Sequence, residues 1–551
     1  MNTTTLTSTI QLKNFEENEK DLRGDEARCE GNLVRQASGK YDAVYGVGGV
    51  GHTQRRLKPR HVALIGFGGG IGSGLFIETG SMLKNAGPAG LLIVFATVGG
   101  FLWCIMESIG EMFPTTGSFP HLATRFIDPA LGFTLAISYG CSSTIAMVSE
   151  VNNISKVVLS YWTDLNPALV ISLSLLSVLA INLFSVRYYG EAEVVSAVVK
   201  GVGFLILVIV SLVITLGGAP NCDRIGFKYW IDPGPFAKYN DITKSKGQFF
   251  GIFRAFIDAI FSFIGMETVV VTASESVNPH RSITKAVKRV IYRILYFNVL
   301  GAFLLGLTLS STDPNLIDDL GESMASPFIV AMKNAGVEVV PSIINVCILF
   351  SAWSSCSGYL YVTARMIIAM AVDRHIPQVF SKVSRWGVPY FAVMASFVLS
   401  LLSYICLADR SLTWLKDIST MTGLLAWMTL CICFIRYEQA CRAQGINRNN
   451  LDFKSRFQPY SAYIGAIGCA VIILLSGIKV LSGKWTAVNF VTNYAGVIVY
   501  VVPFVARKLI RKSGFARSAK LDLFSGRFDS SSMNKTAAPL SCWDKFMGWL
   551  V

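Results

Sequence analysis

Runs of about 20 apolar residues recur along this chain, each long enough to cross a hydrocarbon core of about 30 Å. Inside hydrocarbon every backbone N–H and C=O must find a partner within the protein, so such runs are helices. The pattern predicts twelve spans, near 62–85, 88–112, 129–152, 168–187, 194–217, 250–275, 290–311, 327–371, 389–408, 412–436, 460–481 and 486–507. The eighth is over-long and predicts a cytosolic extension. Composition agrees: with 52% hydrophobic and 15% charged residues, the chain is too apolar for an ordinary soluble protein. The fold class expected is all-α integral membrane. Residues 1–57 are polar without a sustained apolar period and read as a disordered cytosolic tail, with no cleavable secretory signal. Residues 58–507 form the membrane domain, and 508–551 a cytosolic tail that opens basic.

Charge placement orients the spans. A net charge of +14 would suggest nucleic acid in isolation, but the basic residues cluster between spans, so no nucleic-acid partner is expected. Arg55, Arg56, Lys58, Arg60 and His61 form a collar before the first span. Further clusters, Arg281 to Arg293, Arg374 to Arg385, Arg436 to Arg456 and Arg507 to Lys512, all fall on the side where both termini lie. The loop 312–326 on the other side holds Asp313, Asp318, Asp319 and Glu322 and no Lys or Arg. By the positive-inside rule the termini are cytosolic. Of twelve cysteines only Cys222 falls clearly in an outer loop, so no disulfide framework is expected. Oligomeric state leaves no signal.

The first span contains Ile65-Gly-Phe-Gly-Gly-Gly-Ile-Gly-Ser-Gly-Leu-Phe76, with six glycines from Gly66 to Gly74. Glycine weakens a helix by roughly 1 kcal/mol relative to alanine. A close-packing face would space its glycines by helical turns, whereas this run is nearly contiguous. It reads as a break in the helix that lines a cavity. A second break sits in span six, where a glycine and a glutamate interrupt Phe261-Ser-Phe-Ile-Gly-Met-Glu267. Corresponding breaks in two five-span halves point to an inverted repeat with a midplane site, as in secondary transporters.

At these residues the chain resembles the fungal amino acid permeases of the amino acid–polyamine–organocation superfamily, over about 58–550. Besides the glycine run, the matching stretches are Ile109-Gly-Glu-Met112, Gly117-Ser-Phe119, Asp128 to Phe133, Tyr189-Gly-Glu191, Tyr229 to Gly234, Phe261 to Glu267, Ser326-Pro-Phe328, Thr363-Ala-Arg365 and Gly387-Val-Pro389. The resemblance implies a LeuT-like 5+5 inverted repeat with helices 1 and 6 broken. It also implies a plasma-membrane importer of amino acids or related amines, driven by the proton gradient and needing no bound cofactor.

Candidate residues follow. The amides of Ile71, Gly72, Ser73 and Gly74 at the break would hold a substrate carboxylate. Carbonyls freed near Phe261 to Gly265 would accept from the substrate amine, with the ring of Phe263 as a gate or cation–π face. Glu267 is a gate or a structural anchor. Asp258 stands where the family usually has a neutral amide. It is either paired with Arg254 one turn earlier or a carboxylate for a cationic substrate side chain. In span three Glu150 matches a family glutamate, while Tyr139-Gly-Cys-Ser-Ser-Thr144 is small and polar where relatives are rich in tryptophan. Ser138, Ser142, Ser149, Asn152 and Lys156 share one helical face, which should look into the bundle. All five histidines are expected in tails or loops. Lys200, two turns into span five, is therefore the coupling candidate, the alternative being a lysine snorkelling to the interface. Glu111 and Glu191 are expected to be structural partners of cations. Neither a metal-ligand cluster nor a nucleophile–base motif appears, so an enzyme is not expected. The alternatives to an amino acid importer are a transporter-like nutrient sensor and an importer of a polyamine or carnitine.

Overall fold

The computed structural model describes His61 to Leu523 apart from residues 62–63, 66–71, 113–117, 222, 238–243, 275–278, 317–325, 385, 408–410, 447, 449–453, 478–486, 512–513, 517, 519–520 and 522. The N-terminal tail 1–57, the basic collar before His61, Ile71 with the first part of the glycine run, and Cys222 lie outside the described residues. Where described, the chain is helical. The elements are α1 (Ser73–Phe76), α2 (Thr79–Met112), α3 (Phe119–Phe126), α4 (Pro129–Leu159), α5 (Pro167–Leu183), α6 (Val186–Leu216) and α7 (Lys228–Ile231). They continue with α8 (Lys244–Phe263), α9 (Thr268–Ser274), α10 (Pro279–Arg293), α11 (Leu300–Thr308), α12 (Pro327–Asn334), α13 (Val340–Val372), α14 (Tyr390–Ser400), α15 (Ser411–Ala443), α16 (Tyr460–Leu475) and α17 (Ala487–Arg511). Among the described residues eight helices are long and apolar enough to cross a membrane, and three shorter apolar helices accompany them. Of the first expected span only Leu64, Ile65 and the part from Gly72 outward are described, so the count of twelve stays a reading of the sequence.

Local chemistry sets the boundaries. Asp128 caps α4 by accepting from the Ala130 amide at 2.7 Å, with Pro129 in the first turn, where its missing N–H costs nothing. Asn166 and Pro167 start α5 the same way. Between the first and second spans Gly87 takes φ +77° before Pro88. A side chain at Gly87 would meet the backbone of Pro235 and Ala237, whose loop exchanges hydrogen bonds with Ala86 and Ala89.

Two expectations are corrected. The over-long eighth run is not a span with a cytosolic extension. It is two helices, α12 and α13, separated on the expected outer side by a turn in which Gly336 adopts φ +79°. The basic segment after span six is not a loop. Arg281 to Arg293 lie in α10, which runs through a π-helical stretch, Ile294–Val299, into α11. Apolar character marks only the part of a helix that meets hydrocarbon, so polar extensions are invisible to it.

α13 packs along α4, α8 along α2, and α15 against α4, α16 and α17. The outer surface is apolar where that of a soluble protein is polar. Leu169, Leu173, Leu176, Val202, Ile209 and Leu216 face outward, while Glu150, Glu193, Lys200 and Glu267 are buried. That inversion is what a lipid solvent imposes.

Candidate functional site

The two interrupted helices meet. α1 starts at Ser73, with Gly72 extended before it, and its first turn continues through Ile77 and Glu78 into α2. Gly74 lies so close to α8 that an added Cβ would be 2.9 Å from Ser262 Oγ and 3.2 Å from its Cα. A larger residue there would hold the two segments apart. α8 ends at Phe263, and Gly265, at φ +104°, turns the chain before α9.

Glu267 closes this second break. It is fully buried, accepts from the Tyr139 hydroxyl at 2.7 Å, and accepts from the Gly265 amide at 3.2 Å. Of the two roles open to it, this is the geometry of an anchor. The carbonyls expected to be free are largely engaged. Phe261 accepts from the Ile264 amide, Phe263 from the Met266 amide, Ile264 from the Tyr359 hydroxyl at 2.8 Å, and Gly265 from Thr268. Phe263 is corrected outright. Its ring is fully buried against Phe95, with centroids 5.7 Å apart, so it packs the core and offers no face to a ligand. Phe261, two positions earlier, does border the cavity.

That cavity is the centre of the molecule. Gly72, Ser73, Gly74, Glu150, Lys200, Phe261 and Gly265 all line it. Glu150 hydrogen-bonds Ser73, whose hydroxyl also accepts from Asn153 Nδ2 at 2.7 Å. A methyl built on Gly72 would sit 3.6 Å from Glu150 Oε1. The other oxygen, Oε2, is buried without a hydrogen-bond partner. Lys200 does not snorkel. It is 1% exposed, and its ammonium donates to Ser354 Oγ at 3.0 Å, which in turn contacts Glu193 Oε2 at 2.8 Å. A carboxylate, a hydroxyl and an ammonium are thus chained below the break.

Asp258 is not in this cavity. Its carboxylate lies 3.1 Å from Arg254, as an i,i+4 pair, in a second cavity beyond Phe261. The polar face of α4 points inward: Ser138 and Ser142 donate to the backbone of Thr422 and Ser419, and Ser149 borders the cavity. Asn153, rather than Asn152, is the residue that reaches Ser73. Glu111 binds Arg448 at 2.6 Å, and Glu191 binds His61 at 3.1 Å. Three of the histidines expected in tails or loops are helical instead: His61 and His121 are buried, and His280 lies in α10.

Sequence reasoning missed Glu193, Ser354 and Tyr359. Glu193 and Lys200 stand seven residues apart and so share a helical face, which was the available signal. Ser354 and Tyr359 were hidden in the over-long eighth run. Among the described residues no group of His, Cys, Asp and Glu is arranged to hold a metal ion.

The comparisons with known proteins agree with this geometry. A family profile described as amino acid permease matches residues 61–520. The chain is 37% identical over 485 residues to a dicarboxylic amino acid permease of Saccharomyces cerevisiae, covering 86% of this chain and 79% of that protein. It is 33% identical to the lysine-specific permease of the same yeast, covering 90% and 82%, and 32% identical to its general amino-acid permease GAP1, covering 86% and 80%. In fold it resembles a manganese transporter of Eremococcus coleocola, with TM-score 0.51 over 81% of this chain and 91% of that one, at 12% identity.

Proposed function

The chain belongs to the amino acid permease family, whose members are transporters and not enzymes, and on that premise we propose that it imports amino acids across the plasma membrane in symport with protons. Both termini are cytosolic in this reading, and the site opens alternately to either side. The observation that carries it is the orphaned Glu150 Oε2 on the cavity beside Gly72 to Gly74. A buried carboxylate oxygen without a partner is costly unless a cation or a proton reaches it. The substrate carboxylate takes the amides at the start of α1, where backbone dipoles favour an anion. The substrate amine, or the transported proton, takes Glu150. Lys200, chained through Ser354 to Glu193, supplies the ammonium to which this reading assigns the coupling. The driving force is the proton gradient, with no bound cofactor.

The test is uptake of labelled neutral, acidic and basic amino acids, polyamines and carnitine in a transporter-deficient cell, with and without a protonophore. Saturable amino acid uptake that collapses with the protonophore is expected. Uptake indifferent to the gradient overturns the coupling. Surface-expressed protein that carries none of the solutes favours a sensor.

A further inference from the structure

A second cavity lies beyond Phe261 on the expected outer side, lined by charges from three segments: Glu78 before α2, Arg254 and Asp258 on α8, and Lys416 and Asp417 on α15. Arg254 is shared, with one nitrogen 3.1 Å from Asp258 and the other 3.6 Å from Asp417. Lys416 binds Glu78 at 2.7 Å and lies 5.9 Å from the centre of the Phe261 ring. Glu78 and Phe261 border both cavities.

We infer that this outer cavity is the side-chain subsite for a cationic amino acid, with Asp258 and the face of Phe261 receiving its positive group. The inference rests on the transport reading above and narrows its substrate class. Charge balance is the first argument. Among the described residues lining the two cavities, Glu78, Glu150, Glu193, Asp258 and Asp417 stand against Lys200, Arg254 and Lys416. If the coupling of the transport reading carries one proton per cycle, one substrate of net charge +1 restores neutrality. A neutral substrate leaves one buried charge uncompensated and an acidic substrate leaves two, and uncompensated buried charge is strongly disfavoured. The unpartnered Glu150 oxygen lies in the inner cavity, where the substrate amine or the proton takes it, so the side-chain cation is left to the outer one.

Reach is the second argument. Ser262 borders the inner cavity, and its hydroxyl donates to the Asp258 carbonyl at 3.3 Å. Asp258 is therefore one helical turn from the inner cavity, about 6 Å along the axis. The four-carbon stem of a lysine, with its α-carboxylate at Gly72 to Gly74, spans that gap along Phe261. Exchange is the third. When the substrate cation takes Asp258, Arg254 keeps Asp417, so no resident charge is stranded.

The experiment is kinetic, on the full chain in a transporter-deficient cell. KM is measured for lysine, arginine, leucine and aspartate, with cadaverine, which is lysine without its carboxylate, as competitor. Lysine and arginine are expected to have the lowest KM, and cadaverine to compete weakly. Asp258→Asn is expected to raise the KM for lysine about tenfold or more, the loss of one charge-assisted contact, and to move that for leucine by less than about twofold. Asp258→Glu should keep the lysine preference. A wild-type preference for leucine or aspartate, cadaverine matching lysine, or an equal rise of both KM values in Asp258→Asn overturns the inference. If Asp258→Asn fails to reach the surface, the wild-type ranking decides alone. Leucine or aspartate uptake without a basic preference leaves the transport reading standing, whereas absence of all uptake overturns both.

Discussion

Glu150 and Lys200 are ionisable groups placed where hydrocarbon would be the alternative solvent, and both border the same cavity. Glu150→Gln keeps the shape and removes the charge, and Lys200→Met keeps the stem and removes the ammonium. Each is expected to abolish proton-driven uptake with surface expression intact, measured as uptake against an imposed pH gradient. Normal coupled uptake in both variants would contradict the assignment. These two residues were legible because an ionisable group inside an apolar helix is expensive and hence conspicuous. Phe263 was not legible. Whether it or Phe261 faces the cavity depends on the turn at Gly265 and on the space beside Phe95, which periodicity does not encode. The same one-residue uncertainty separates Asn152 from Asn153. Outside the spans, His375 Nδ1 accepts from Arg507, and its ring packs on Phe133. Burial, and then the cations of Arg507 and Arg511, push its pKa down to about 4. The fold therefore holds the neutral imidazole. Its contribution to stability is complete above the unfolded value of about 6.5 and is lost as pH falls from there toward about 4. The thermal midpoint of purified protein should fall over that interval, and His375→Gln should flatten part of the fall.

Among elements, the approach of α1 to α8 is the tightest constraint on the site. Gly74→Ala would ordinarily favour a helix by roughly 1 kcal/mol. Here its methyl would press on both the side chain and the Cα of Ser262, so lower thermal stability and reduced uptake are expected. The double variant Gly74→Ala, Ser262→Gly removes the atoms at 2.9 and 3.0 Å and should recover part of both losses, while the backbone contact remains. Both breaks were readable from their glycines and from Glu267. What held the second break together was not, because Tyr139 and Tyr359 approach it from helices far away in sequence. Element boundaries failed where polarity misled: α10 is helical yet basic, and the outer helix α12 is apolar without extending the span that follows.

Over the whole molecule, the side expected to face the cytosol is strapped by the segment that holds Ala516, Ser518, Leu521 and Leu523. The Ala516 amide donates to the Ile127 carbonyl at 2.9 Å, Arg436 donates to the Ala516 carbonyl, and Gln444 reaches the carbonyls of Ser518 and Leu521. Leu521 and Leu523 are each only 6% exposed within the main core. Burial of a leucine contributes about 1.5–3 kcal/mol. Deletion of residues 514–551 is therefore expected to lower the thermal midpoint in detergent well beyond any effect of deleting 524–551 alone. None of this was legible. The tail reads as polar and basic, and its two leucines carry no period. Their meaning comes only from the buried cluster that receives them. The strap also fixes an order of events. A chain leaves the ribosome from its N-terminus, so Ile127, Arg436 and Gln444 wait for partners made only after α17. Formation of the strap thus reports that α17 has been made, and a chain terminated before Ala516 is marked by the polar groups it leaves unanswered there.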